Sequence, residues 1–408
     1  MPSTATKNIL YRLALPVLAP RVPKSAIHPA IGHLLRNEQA FSRLIRKHRA
    51  QGVSILLATE KDQALILSDQ TLAHPQDNLT DQTLAHPQGN QNRLQSVELD
   101  SRPVSLFYRV ASITKFATAL TVMKLRDRGL LDIDRPVTDY LGGIACDPAL
   151  SGVTLRHLLS HTSGLADPAG LETLLLRGDP LSSVLPGCRV SEPGSAFRYS
   201  NFGYGIIGCV LEAVADAPVS RVMDEAVFQP FALDATLEAC TLPEEQIMPV
   251  ARVLPWRGQC LRMTPLGKKP LDVADPARHF GHTAGSLYIT VDSLNRLLSA
   301  FRDADPRLIS PESRAEMLKV HARYGRLSPT LSYGLGLLFI EDSRLSPGRI
   351  VGHQGFAYGC ADGAFYEENT GNILISLNGG CSEARDGRLS LFTRDLLRLG
   401  FRKELPAW

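Results

Sequence analysis

Short apolar runs of strand character lie at both ends of this 408-residue chain, while the long stretch between them reads as helix. Strands are expected at 53–59 and 64–68, joined by a polar turn at 60–63. They are expected again at 333–340, 349–353, 361–366 and 372–378, parted by turn residues such as Asn369-Thr370-Gly371. Short connections of this kind join strands into antiparallel hairpins. Residues 36–50 put Phe41, Leu44, Ile45 and His48 on one helical face. A second amphipathic helix is expected over 388–399, with Gly400 as its stop. A sheet drawn from both ends makes the middle an insertion. The expected fold is therefore α/β in the α+β sense: an antiparallel sheet flanked by helices, holding an inserted, mostly helical domain. The expected boundaries are an N-terminal extension at 1–35, a discontinuous α/β domain at 36–110 and 281–408, and a helical domain at 111–280.

One segment fits neither part. Asp69-Gln70-Thr71-Leu72-Ala73-His74-Pro75-Gln76 recurs word for word at 81–88. Two copies of so short a unit do not make a solenoid, and the polar, Pro-containing composition makes 69–92 a surface loop insertion. The apolar run at 10–20 is broken by Arg12, Pro16 and Pro20, unlike a signal peptide. No run approaches a membrane span, so the expectation is a soluble, cytoplasmic protein. A net charge of +3 over 408 residues argues against a nucleic-acid partner. Seven scattered cysteines, with no CxxC pair, read as reduced thiols rather than a disulfide framework or zinc knuckle.

Chemistry concentrates at Ser112-Ile113-Thr114-Lys115. A serine hydroxyl is a weak nucleophile until a neighbour takes its proton. At spacing i, i+3 on a helix, Ser112 and Lys115 share one face. The following FATALTVMKLRDRG is rich in helix formers, with Gly129 as the stop, so Ser112 is expected at a helix N-terminus. A lysine in such an apolar place loses its proton readily. Further on, Tyr199-Ser200-Asn201 offers a phenol to relay protons and an amide to hold the lysine or a substrate. His353-Gln354-Gly355 closes a strand, with a ring nitrogen for substrate and a glycine for close backbone approach. Each motif alone is more often an ordinary helix start, turn or strand end.

Taken together, in this order, SxxK, YxN and a strand-borne HxG resemble the serine β-lactamase-related family. That family includes class C β-lactamases, low-molecular-weight penicillin-binding proteins, family VIII esterases and D-aminopeptidases. The likeness extends to the blocks at 107–130, 155–165 (LRHLLSHTSGL), 193–208, 281–290 and 352–359. The resemblance implies a cofactor-free enzyme acting on a small-molecule ester or amide through an acyl-enzyme. It makes Ser112 the nucleophile, Lys115 its base or base partner, Tyr199 the general base or relay, and Asn201 a polar orienter. It also places the oxyanion hole at the backbone N–H groups of Ser112 and Phe356, beside Gly355. At 353 the β-lactamases carry the lysine of Lys-Thr-Gly. A neutral histidine there predicts a preference for uncharged esters or amides, with carboxylate binding partly restored when acid protonates His353.

Other patterns are set aside. Gly203, Gly205 and Gly208 match GxGxxG, but no strand of a βαβ unit precedes them, so they are expected to serve helix packing. His157 and His161 lack the glutamate of HExxH, and His279 and His282 flank a glycine turn; no metal site is expected. GxSxG is absent, which counts against an α/β-hydrolase. The alternatives to hydrolysis are acyl transfer on the same residues, or a non-catalytic binding protein of the same fold.

Overall fold

The computed structural model describes residues 27–31, 38–59, 63–68, 106–249, 267–325, 328–357 and 359–402. The apolar run at 10–20 and the repeated loop at 69–92 lie outside the described residues. In chain order the first strands are β1 (Ile27–Ile31), β2 (Ser54–Ala58) and β3 (Gln63–Ser68). Next, β4 (Tyr108–Arg109), β5 (Ala235–Thr236) and β6 (Tyr288–Ile289) make a small sheet of their own. The later strands are β7 (Ala322–Arg323), β8 (Leu331–Tyr333), β9 (Leu338–Ile340), β10 (Ile350–Ala357), β11 (Cys360–Glu367) and β12 (Ile373–Leu377). The main sheet runs β1-β3-β2-β12-β11-β10-β9-β8-β7, antiparallel throughout. Its seam is β2 against β12, with Leu56 opposite Ile375.

Both faces of this sheet are buried, which is why its central strands read SILLA and ILISL rather than alternating apolar and polar. On β2, Leu56 and Ala58 enter one core and Ile55 and Leu57 the other, as strand geometry requires. Helices α1 (Glu38–His48) and α8 (Leu391–Phe401) cover the outer face with Phe41, Ile45, Phe392 and Leu396. The His48 imidazole meets Asp395 at 2.9 Å and ties the two together. Between them in sequence lie α2 (Thr114–Asp127), α3 (Leu155–Leu159), α4 (Leu171–Arg177), α5 (Asn201–Ala215), α6 (His282–Gly285) and α7 (Val291–Arg302). Phe116 and Leu120 of α2 and Leu294 and Leu298 of α7 fill the inner core.

Several boundaries differ from expectation for local physical reasons. Residues 27–31 are no free extension: they pair with β3 as the edge strand. The strand expected at 333–340 is split at Gly334-Leu335-Gly336-Leu337. There Gly336, at φ +71°, sits so close to α2 that a Cβ would lie 2.4 Å from Ala119 Cβ and 2.9 Å from the Lys115 carbonyl oxygen. The last helix begins after Ser390, which caps it, because 389–390 form a short strand with 385–386. Gly400 does not stop that helix. It lies inside it, where a Cβ would be 2.5 Å from Leu374 Cδ1, so its role is close packing on the sheet. Gly129, by contrast, follows the end of α2 with φ +71°.

The glycines of the GxGxxG string all lie on α5. A Cβ on Gly205 would be 1.6 Å from the Phe280 carbonyl oxygen, and one on Gly208 would be 3.0 Å from Thr283 Oγ1. They let α5 approach the segment that carries α6. Gly205→Ala is accordingly expected to destabilise the fold by about 1–3 kcal/mol or more, measured as a shift in urea midpoint. Gly143→Ala, where a Cβ meets nothing within 4 Å, is the control and should stay within about 0.5 kcal/mol of the parent.

Candidate active site

Ser112 sits in a single 3-10 turn, Ala111–Ile113, immediately before α2. The residue before it, Ala111, has φ +44°, a left-handed conformation that a side chain tolerates at a cost of about 1–3 kcal/mol. Hydrogen bonds hold that turn in place. Thr114 Oγ1 donates to the Ala111 carbonyl at 2.6 Å and accepts from Leu287 N–H at 3.1 Å. Lys115, one residue into the helix, is 0% exposed. Its Nζ lies 3.1 Å from Ser112 Oγ, 2.9 Å from Asn201 Oδ1 and 2.7 Å from the Ala284 carbonyl oxygen.

Burial pushes the Lys115 pKa down from 10.5 to about 7, against the opposing pull of Asp167. Neutral and charged amine are therefore both accessible near neutral pH. The three neighbours fix where the lone pair points. Two are carbonyl oxygens, which can only accept, so the two N–H bonds of the neutral amine go to Asn201 and Ala284. The lone pair is left facing Ser112 Oγ. Helix α6, only four residues long, exists here as a backbone acceptor for the lysine; Thr118 Oγ1 also donates to its Thr283 carbonyl, at 2.8 Å.

Tyr199 and Asn201 stand on either side of Ser200, which caps α5 by accepting Gly203 N–H at 2.9 Å. The Tyr199 hydroxyl is hydrogen-bonded to Ser112, and its ring centroid lies 4.9 Å from Lys115 Nζ. Burial drives its pKa well above 10, which favours the protonated phenol at neutral pH. Asp167 was not singled out from the sequence. It accepts from Ser200 Oγ at 2.8 Å, from Phe202 N–H at 2.9 Å and from Asn201 Nδ2 at 3.2 Å. It thereby turns the Asn201 amide so that its oxygen faces the lysine. No spacing rule links residues 34 apart, so only the folded structure reveals it.

β10 forms the opposite wall. A Cβ on Gly355 would stand 2.2 Å from the Val110 carbonyl oxygen, so only glycine lets the strand run this close to the serine turn. Phe356, next along, lines the cleft with Ser112. His353 differs from expectation. It is 3% exposed, its Nδ1 lies 2.7 Å from the Gln354 carbonyl and its Nε2 2.7 Å from the Tyr333 hydroxyl. The carbonyl can only accept, so Nδ1 carries the proton and Nε2 accepts from Tyr333. Burial, reinforced by Lys115, lowers its pKa to about 3. Mild acid does not charge it, and both ring nitrogens are taken. The cations that line the cleft are elsewhere: Arg109, Arg385 and Arg388, with the Arg385 guanidinium 3.5 Å from the Phe356 ring centroid.

These residues surround one cleft of about 600 Å³, also lined by Leu171 and Leu175 of α4 and by Ala284 and Gly285 of α6. Two of the histidines set aside as ligands have structural partners. His157 completes a capping box with Thr154, and His279 Nδ1 meets Glu212 at 2.8 Å. Among the described residues no group of three or more His, Cys, Asp or Glu is placed to hold a metal ion, and no helix is long and apolar enough to cross a membrane.

The comparisons with known proteins agree with this geometry. The family model described as Beta-lactamase matches residues 103–379, which span the serine turn, the Tyr-Ser-Asn segment and β10. The chain belongs to that family. Esterase EstB of Burkholderia gladioli is 27% identical over 333 residues, 71% of this chain and 81% of that protein. Penicillin-binding protein 4 of Amycolatopsis lactamdurans is 33% identical over 147 residues, a match spanning 37% of its length. A D-stereospecific amidohydrolase from Streptomyces sp. shares the fold at a TM-score of 0.62 and 18% identity, covering 88% of this chain and 96% of that one.

Within the β-lactamase family frame, Lys115 is the group whose titration falls in the working range. If that amine takes the Ser112 proton, as proposed below, kcat/KM for an ester rises with pH and levels off above about 7. Tyr199 stays protonated throughout, and His353 stays neutral above about 3. One acid limb is expected. A profile flat from pH 5 to 9 would show that Lys115 is not the base. Lys115→Arg, whose guanidinium does not deprotonate, should retain less than about 1% of the parental rate at every pH.

Proposed function

We propose that the protein is a serine hydrolase that cleaves an ester or amide through an acyl-enzyme on Ser112. The observation that carries this reading is the Lys115 amine, buried and 3.1 Å from Ser112 Oγ, with its other two neighbours unable to donate. The esterase, amidohydrolase and penicillin-binding-protein relatives support the reaction class.

In the proposed sequence Ser112 Oγ attacks the substrate carbonyl as its proton passes to Lys115 Nζ. The C=O bond becomes a C–O⁻ facing the Ser112 and Phe356 backbone N–H groups, donors of a kind that contribute about 2.7–4 kcal/mol each. As the carbonyl re-forms, the bond to the leaving group breaks, and the Tyr199 hydroxyl hands that group a proton while recovering one from Lys115. Water then repeats the attack on the acyl-serine, with the proton moving the same way. The Lys-Thr-Gly ammonium of the β-lactamases has no counterpart at His353, which is neutral and internally paired. Any carboxylate on a substrate would instead meet Arg109, Arg385 or Arg388 on the cleft wall.

A fluorophosphonate is expected to leave a single adduct on Ser112, located by peptide mapping, and none on Ser112→Ala. An adduct on another serine of the folded protein overturns the assignment. Lys115→Ala and Tyr199→Phe should each lower kcat by at least about 10²-fold on an alkyl ester, and the double variant should lose much less than the product, because both serve one proton path.

A further inference from the structure

The proton path places a demand on the chain that the catalytic residues do not meet themselves. Tyr199 lies in an irregular segment before α5, partly exposed to the cleft, and its hydroxyl must hold its place beside Ser112. Outside the described catalytic group, His161 satisfies that demand from three directions. Its carbonyl oxygen accepts Arg198 N–H at 2.7 Å. Its ring Nδ1 accepts Ser200 N–H at 3.2 Å. Between those two attachments its ring lies against the Tyr199 ring, centroids 4.1 Å apart and tilted by 34°. The residue before the tyrosine, the tyrosine itself and the residue after it are all held by one side chain and its own backbone.

The backbone of His161 is itself unusual. It is 1% exposed and has φ +59°, a left-handed conformation that a non-glycine residue adopts at a cost of about 1–2 kcal/mol. The conformation directs both its carbonyl and its ring at the 198–200 segment. The ring is enclosed by Phe197, Tyr204 and Tyr333, at centroid distances of 5.8, 5.0 and 4.8 Å. Because Nδ1 accepts from a backbone N–H, the ring is neutral with its proton on Nε2. Burial, with Lys115 and His353 nearby, favours that neutral form. Glycine would adopt the same φ without strain, but it has no ring to place on Tyr199 and no acceptor for Ser200.

We infer that His161 is a positioning residue for Tyr199: it acts on the reaction only by fixing where the phenol hands its proton. The inference rests on the proton path proposed above, and it predicts a signature that a general structural role lacks. An alkoxide leaving group needs the proton from Tyr199, whereas p-nitrophenolate departs without one. Displacing Tyr199 should therefore slow an alkyl ester far more than a p-nitrophenyl ester of the same acid.

The test compares kcat/KM, which reports acylation alone and not the acyl-enzyme hydrolysis that both esters share, on ethyl and p-nitrophenyl esters of one short-chain acid for the parent, His161→Phe, Tyr199→Phe and the double variant. His161→Phe keeps a ring against Tyr199 and removes the acceptor for Ser200. It is expected to slow the ethyl ester at least about 10-fold more than the p-nitrophenyl ester, within the range a 1 Å misplacement produces. The double variant should be no slower than Tyr199→Phe. His161→Asn, whose side-chain oxygen replaces Nδ1 and whose backbone accepts left-handed φ, should recover part of the loss. It also takes the place of His161→Phe in the cycle if the latter shows no cooperative melt. Equal slowing of both esters, or losses that multiply in the double variant, overturns the inference and leaves His161 a structural residue. A Tyr199→Phe variant at parental rate on the ethyl ester instead overturns the proton path itself.

Discussion

Everything at this site follows from burying one amine. An ammonium removed from water must be paired, neutralised or given acceptors, and Lys115 is given three from three separate parts of the chain: Ser112, Asn201 and Ala284. Each acceptor is in turn fixed by something else. Asp167 holds Asn201, Thr118 and Thr283 lock α6 between α2 and α5, and Thr114 braces the strained turn ahead of Ser112. The glycines of α5 and Gly336 allow the elements to approach closely enough for those bonds to form.

The shell around the amine keeps it reactive. The Tyr199 and Tyr204 ring centroids lie 4.9 and 5.3 Å from it, and the neutral His161 and His353 pack on Tyr333 nearby. A carboxylate in the same position would stabilise the ammonium and raise its pKa, removing the base. Asp167 stands beyond Asn201, whose amide lies between it and the lysine, and its charge opposes the downward shift without cancelling it. The Tyr333–His353 pair belongs to this shell, so the histidine at 353 is better understood as insulation than as a grip on substrate.

What the sequence made legible is what repeats along it. Two-sided apolar strands, the helix opened by Ser112-Ile113-Thr114-Lys115 and the αL glycine at 129 all announce themselves through local spacing, and the antiparallel sheet with its helical insertion follows from them. Contacts between distant segments leave no such trace. Asp167 to Asn201 and His161 to Tyr199 are each set by the fold, and neither has a periodic pattern to betray it. Gly400 was misjudged because a glycine that ends a helix and one that lets a helix touch a sheet look alike in one dimension. The Tyr333 partner of His353 is equally hidden, because it lies on a strand two removed in the sheet.

The β2–β12 seam bears on how the chain reaches this state. Residues 54–58 of one end find their partners only at 373–377, so the pairing spans more than 300 residues of intervening sequence. At ribosomal rates of about 5–20 residues per second, the first hairpin waits roughly 15–60 s for its neighbour to be made. During that interval SILLA and ALIL present an open apolar edge, the kind of surface that pairs with another copy as readily as with its own chain. The helical insertion, built from near neighbours in sequence, suffers no such delay. The seam therefore closes only once nearly the whole chain has been made, whatever the stability of the finished fold.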